Sequence, residues 1–378
     1  MDRSKRPPDT LQPLAFGSFQ NWLRLLKENR GVDREYLRRA LFTSAVSAAT
    51  EPLRLVERAC NGREISKQRI AEPPVFIVGH WRSGTTLLHN LLCTDPNLGY
   101  VTLFQTLAPE LALVGSKTLK PLLATYTPKT RWMDNVTLSQ DGPQEDELAV
   151  ANLSQLSFYH HLSFPRQARF YFTRYALFRD VPDSVVNRWK ENYLYVLRTA
   201  TVLAGGRRLI LKNPANTGRI RLLLELFPDA KFIHMYRNPY DVFPSTLRFY
   251  SATYAVTALQ KIQPAELESN VLQFYAELMH QFFAEKKLIP PGNLIEVRYE
   301  DVEANPIAMV RQIYESLNLG DFEQLEGRLH AMVAGQGEYQ KNRFSQTDDL
   351  VRKVTERWGF TAEEWRYPIR NSGTVGKS

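Results

Sequence analysis

The run Val75 to Leu88, VFIVGHWRSGTTLL, reads as a short apolar strand, a tight loop and the start of a helix. Gly79 and Gly84 stand at the G-x-x-x-x-G spacing of a phosphate-binding loop. Glycines at such places let successive N–H groups turn toward an anion, and the following helix points its positive end at it. The lysine that would reach the β- and γ-phosphates of a nucleoside triphosphate is missing, and Thr85 occupies its position. The expected ligand carries a phosphate-like group but no triphosphate. A second segment, KFIHMYRNPYDVFPS from Lys231 to Ser245, reads as a strand ending in Arg237, an Asn238-Pro239 turn, a helix capped by Asp241, and Ser245 on its second turn. An arginine fork and a nearby hydroxyl can grip one phosphate together. Read alone, Arg237 could serve a structural ion pair and Ser245 could face solvent. On one sheet rim with the glycine loop, a two-phosphate site is the better reading.

The elements that must position these residues form an α/β pattern. Candidate strands are Val75–Gly79, Arg208–Lys212, Lys231–Tyr236 and Leu294–Tyr299. Helical patterns follow them at Thr85–Cys93, Thr217–Phe227, Asp241–Tyr250 and Pro306–Leu317. Strand-then-helix repetition predicts βαβ units, hence a central, mainly parallel sheet flanked by helices. Ligands of such sheets gather at the carboxyl ends of the strands, which puts Gly79–Thr86, Lys212 and Arg237 on one rim. Residues 1–73 read as an N-terminal helical region and linker. Its stretch Gly17 to Cys60 is amphipathic and basic, with Asn61–Pro74 as the polar linker. Residues 74–378 read as the α/β domain, with a helical, aromatic-rich insertion at about 103–205, and the whole as one compact domain. The N-terminal helices are expected to pack on the core, with contact to a membrane surface as the sharper alternative.

Of the 378 residues, 43% are hydrophobic and 23% charged, as in an ordinary globular protein, so a sizeable core is expected. The net charge of +8 suits anionic ligands, nucleic acid or an acidic membrane surface, or is simply a solvated basic surface. Two cysteines, Cys60 and Cys93, make no disulfide framework. Met1 to Thr10 lacks the apolar core of a signal peptide, and no apolar run is long enough to span a bilayer. A cytoplasmic location is expected, with room for peripheral membrane contact. The sequons at Asn135 and Asn152 are accordingly read as chance matches.

FIVGHWRSGTTLLH and IHMYRNPYDVFPS together resemble the 5′-phosphosulfate loop and the 3′-phosphate motif of sulfotransferases that use 3′-phosphoadenosine 5′-phosphosulfate (PAPS). RYEDVEANP from Arg298 to Pro306 resembles the stretch near that family's last core strand. DGPQEDE and LKNPANTGRIRLLLELFPDAKFIHMYRNP resemble its bacterial branch, so the resemblance covers roughly Pro74 to Trp358. It implies a P-loop-like sulfotransferase fold. It also implies PAPS as the donor co-substrate, held at its 5′ end by Arg82, Ser83, Gly84, Thr85 and Thr86 and at its 3′-phosphate by Arg237 and Ser245. Arg82 and Lys212 would stabilise the charge that develops as the sulfuryl group leaves. No metal is expected. Arg82 stands where many relatives carry lysine, and Asn216 where the bacterial pattern often has histidine.

The acceptor, a hydroxyl or amine, needs a base. The acids of Asp141 to Glu147 are the candidates, Glu145 first, then Glu147 and Asp146. A helix opened by Pro143, with three acids complementing its positive end, explains the same cluster without catalysis. His89 is a weaker candidate base, expected to pack under the sheet. The His160-His161 pair reads as a strand dipeptide in a structural or surface role. Tyr339, Lys341 and Arg343 could close over a ligand or form an exposed loop. The expected partners are a small-molecule, carbohydrate or lipid acceptor, and no nucleic acid. A P-loop kinase or NTPase, and a non-enzymatic basic protein binding nucleic acid or membrane, are the alternatives. The missing loop lysine and the lack of an acidic strand end for Mg²⁺ weigh against the first, and the absence of a recognised nucleic-acid motif against the second.

Overall fold

The computed structural model describes residues 12–127, 130, 138–335 and 347–370. Its sheet has five strands: β1 Val75–Val78, β2 Leu98–Gly99, β3 Arg208–Lys212, β4 Lys231–Tyr236 and β5 Leu294–Arg298, in the order β2-β3-β1-β4-β5. The pairs β1/β4, β2/β3 and β4/β5 are all parallel. Every residue of β1 is buried, as its VFIV sequence requires of a strand covered on both faces. Phe76 of β1 stacks on Phe232 of β4 with ring centroids 5.5 Å apart, which fixes the register of the central pair.

Two compact units emerge. The first comprises residues 1–74, 97–211 and 250–262, and the second residues 75–96, 212–249 and 263–378. The N-terminal helices and the aromatic insertion thus share one unit. The phosphate-type loop, Lys212, Arg237 and Ser245 share the other.

The sequence reading needs several corrections. The helix after the N-terminal bend runs Glu51–Lys67, so Asn61 to Lys67 is helix rather than linker; Arg63, Glu64 and Lys67 are good helix formers and Ile65 is buried. Asp241 does not cap its helix, which starts at Pro239. Asn238 does so instead, its Oδ1 accepting the Tyr240 N–H at 3.1 Å, and Pro239 suits the first helical position. That helix continues to Thr257, well past the expected Tyr250. Pro143 does not open a helix; it bridges to Thr102, and the helix is Asp146–Leu153. His160 and His161 lie in the 3-10 turn Phe158–Leu162, both fully buried, not in a strand. Asn152 is buried and donates to the Thr106 carbonyl at 2.9 Å, as a chance sequon would.

Candidate active site

Within the second unit, the loop after β1 is shaped by three residues with positive φ: Gly79 at 136°, Arg82 at 71° and Gly84 at 94°. A Cβ on Gly79 would overlap the Met235 carbonyl oxygen, and one on Gly84 the Tyr299 ring. Both glycines are therefore required by close approach as well as by backbone conformation. Arg82 is the exception among the three, a bulky residue held left-handed at a cost of about 1 kcal/mol or more. The loop ends in the helix Thr85–Leu92, for which Gly84 is the N-cap residue and offers no capping side chain. The first-turn N–H groups are therefore not capped by its own N-cap side chain. Ser83 braces the turn, its N–H and Oγ both donating to the His80 carbonyl at 3.2 and 2.7 Å. Thr217 pins the strand end, its Oγ1 accepting the Gly79 N–H at 2.8 Å and donating to the Gly79 carbonyl at 3.2 Å.

Three cations converge on this loop. Arg82 Nε donates to Ser245 Oγ at 3.1 Å, and its guanidinium lies 5.7 Å from the centre of the Phe249 ring. Arg237 reaches the Arg82 carbonyl at 3.4 Å and stacks over Tyr299 at 4.2 Å. Its Nε is buried and has no hydrogen-bond partner among the described residues. Lys212, only 2% exposed, directs its ammonium to Thr86 Oγ1 at 3.3 Å. Thr85 is buried on the same helix turn. The loop residues, Lys212, Arg237 and Ser245 are thus brought together. Such a set favours an anion, through fixed charges in a poorly solvated place.

Other residues near the loop find structural places. His89 is buried on the loop helix. Asn216 Oδ1 accepts from Arg219 at 3.1 Å, in a buried turn. Burial holds the Cys93 thiol well above its usual range, against a smaller opposing effect of Lys212. His80 is buried with its imidazole edge on Tyr275, and burial drives its pKa down to about 3. Tyr339, Lys341 and Arg343 lie outside the described residues.

The acidic cluster belongs to the first unit. Glu145 is the N-cap residue of Asp146–Leu153, with extended backbone, but its side chain does not cap. Its Oε2 instead accepts a hydrogen bond from the Tyr159 hydroxyl. Tyr250 is close enough to feel its charge, although burial is the main cause of that phenol's strongly raised pKa. Glu147 is fully buried, its Oε1 accepting from Ser157 Oγ at 2.7 Å and the Phe158 N–H at 2.9 Å, so it closes the Phe158–Leu162 turn. Asp146 is likewise fully buried. Asp141 pairs with Lys120 at the surface.

Sequence reasoning missed Thr217, Tyr299 as a platform for Arg237, and Tyr159 as the partner of Glu145. The first and last carried no signal, being a threonine distant in sequence from Gly79 and one aromatic among many. Tyr299 lay in the quoted RYEDV stretch without a role attached.

The family model described as "Sulfotransferase family" matches residues 73–324. The chain is 35% identical over 357 residues to the omega-hydroxy-beta-dihydromenaquinone-9 sulfotransferase Stf3 of Mycobacterium bovis, covering 94% of this chain and 91% of that protein; the Mycobacterium tuberculosis protein of the same name matches equally. Among solved structures, sulfotransferase STF9 from Mycobacterium avium is similar in fold, with a TM-score of 0.64 at 18% identity, covering 95% of this chain and 98% of that one. Sulfotransferase STF1 from Mycobacterium tuberculosis H37Rv aligns with a TM-score of 0.59 at 16% identity, over 90% of this chain and 92% of that one. With the loop, its three cations and these matches together, the chain belongs to the sulfotransferase family and is a sulfotransferase.

Proposed function

We propose that this sulfotransferase moves the sulfuryl group of PAPS to the hydroxyl of a lipid acceptor, with Glu145 as the base. The observation that carries the donor half is the convergence of both phosphate motifs at one loop: Arg82 on Ser245 at 3.1 Å and Arg237 on the Arg82 carbonyl at 3.4 Å. The chemistry of the donor set fits a ligand with two separate anionic ends. Loop N–H groups and Thr86 suit the phosphosulfate. The buried Arg237 Nε, without a hydrogen-bond partner among the described residues, suits the 3′-phosphate together with Ser245.

The bound donor supplies an activated sulfuryl group whose leaving group is the nucleotide 5′-phosphate. Lys212 and Arg82 hold positive charge where negative charge grows on that leaving oxygen. Lys212, being buried, is poorly screened by water and acts more strongly. Glu145 takes the acceptor's hydroxyl proton on its carboxylate, and the Tyr159 hydroxyl fixes the orientation of that carboxylate. Glu147 is the lesser candidate, because its carboxylate already serves the Phe158–Leu162 turn. The lipid class of the acceptor rests on the relative whose name specifies a hydroxylated dihydromenaquinone, matched across 94% of this chain.

Glu145→Gln tests the assignment. Transfer should fall about 10²- to 10⁴-fold, while adenosine 3′,5′-bisphosphate binds as in the parent. Near-normal transfer in a folded Glu145→Gln protein would remove Glu145 as the base.

A further inference from the structure

The two helices Leu37–Ala49 and Glu51–Lys67 are amphipathic the wrong way round for water. Thr50 joins them with helical angles, φ −90° and ψ −4°. Its N–H reaches the Val46 carbonyl at 3.1 Å, and its own carbonyl accepts from Arg54 at 3.4 Å. One face can therefore be followed through the joint. Its most buried residues are mainly polar: Arg39, Thr43, Ser47, Arg54 and Glu57 are all at most 7% exposed, with Ala40 and Ile65 the apolar residues buried among them. They are anchored inside the first unit. Arg39 donates to the Ala258 carbonyl at 2.7 Å, Arg54 to the Phe16 and Gly17 carbonyls at 2.6 and 2.7 Å, and Glu57 accepts the Val114 N–H at 2.6 Å.

From Leu37 to Val56 the exposed residues, Arg38 apart, are apolar. Leu37, Leu41, Ala45, Ala48, Leu55 and Val56 are exposed at helical spacing, Leu41 to 67% and Leu55 to 65%. Pro52, also exposed, bridges the gap between the two halves of the stripe. Surface helices ordinarily carry the opposite polarity. Single exposed leucines need no explanation, but a continuous stripe, about 1.5 Å long per residue, does. The packing of the unit does not account for it, since the inner face is already anchored through Arg39, Arg54 and Glu57.

Charge decides what covers the stripe. Residues 19–69 hold 11 Lys and Arg against 6 Asp and Glu. Exposed Arg34 and Arg38 flank one end, and exposed Arg63 and Lys67 the other. A second copy of the chain seated there would oppose like charges. An anionic bilayer would take up both the leucines and the arginines, whose aliphatic stems allow the heads to reach lipid phosphates.

We propose that this face lies in the plane of an anionic lipid bilayer, with the stripe from Leu37 to Val56 in the headgroup–acyl boundary. The helices lie on the membrane with their polar side toward the protein. The proposal stands apart from the donor chemistry. If the acceptor is a lipid, it also brings the enzyme to where its acceptor dissolves.

Vesicle flotation of the full chain tests it, with phosphatidylcholine vesicles with and without phosphatidylglycerol. The parent should partition into the anionic vesicles about tenfold or more above the neutral ones at low salt. Leu41→Gln with Leu55→Gln should lower partitioning about tenfold. Arg34→Glu with Arg38→Glu should erase the anionic preference and its salt dependence. These sites are exposed, so unchanged circular dichroism and unchanged bisphosphate binding are expected and separate this surface from the donor site. The proposal fails if the parent does not float, or if neither double variant changes flotation. It also fails if the leucine variant instead converts a dimer to a monomer in sedimentation equilibrium, which would assign the face to a second copy.

Discussion

Removing the Arg237 side chain should separate ligand binding from folding. The guanidinium is stacked on Tyr299 at 4.2 Å, and its buried Nε has no partner among the described residues. Losing the stack costs about 1 kcal/mol. Removing an unsatisfied buried donor returns about the same. Arg237→Ala should therefore melt close to the parent. A bound 3′-phosphate would meet the fork with charge-assisted hydrogen bonds worth about 1.5–3 kcal/mol each. Two such bonds, less the solvation recovered by the free phosphate, leave about 3 kcal/mol, or roughly 100-fold in Kd. Arg237→Lys keeps the charge without the fork and should lose about tenfold. Calorimetric titration with adenosine 3′,5′-bisphosphate reads the effect, and a second titration with adenosine 5′-phosphosulfate, which lacks the 3′-phosphate, closes a cycle. The loss should appear with the first ligand and vanish with the second. A Kd for the bisphosphate within about threefold of the parent, or an equal loss with both ligands, would refute the assignment.

Lys212→Met should cut turnover about 100-fold while the donor KM stays within about threefold, since its charge matters most as the leaving oxygen becomes negative; a KM effect alone would make Lys212 a binding residue. Gly84→Ala, at φ 94° with the Tyr299 ring in the way, should lower the melting point by several degrees and weaken bisphosphate binding; a protein that melts and binds as the parent would contradict the loop geometry. Buried His80, His160 and His161 are held by desolvation at about 3, 4 and 3, below the unfolded value of about 6.5. Their contribution is complete above pH 6.5 and is lost as the pH falls toward 4, because the unfolded chain takes up protons that the folded one refuses. Each should cost about 2 kcal/mol by pH 5, read as a lower urea midpoint at pH 5 than at pH 7, with a shallower decline in His161→Gln; a midpoint that does not fall would contradict the burial.

The central strands were legible because burial on both faces leaves a largely apolar run, whereas β5, half-buried and carrying Glu296, was legible from its β-branched Ile295 and Val297; Arg208–Lys212 and Lys231–Tyr236 have the expected ends, and β1 and β5 each stop one residue early. The two-residue β2 was not, since Leu98-Gly99 is too short to carry a period. Helix starts were legible only in part. Asn238 and Asp241 are both competent caps, and the choice depends on Pro239 fitting the first turn. The loop after β1 could be read from its glycines, whose spacing encodes a backbone shape. Its support could not, because Thr217 and Tyr299 reach Gly79 and Arg237 only through the fold. The acidic cluster shows the same limit. Sequence offered a capping role and a catalytic role for all three acids, and the structure assigns them differently, Glu147 to a buried turn and Glu145 to Tyr159. The basic, leucine-rich N-terminal helices were recognisable as amphipathic, but which face meets solvent depends on the carbonyls that receive Arg39 and Arg54.

The most direct test is to incubate the enzyme with PAPS and a hydroxyl-terminated prenylated quinol in mixed micelles, with a chelator present, and to quantify adenosine 3′,5′-bisphosphate and sulfated lipid in the same samples. Equal amounts of the two products, growing together and absent when Mg²⁺·ATP replaces PAPS, are the predicted result. Bisphosphate released without sulfated lipid, or turnover of Mg²⁺·ATP in place of PAPS, would contradict transfer from this donor to this class of acceptor.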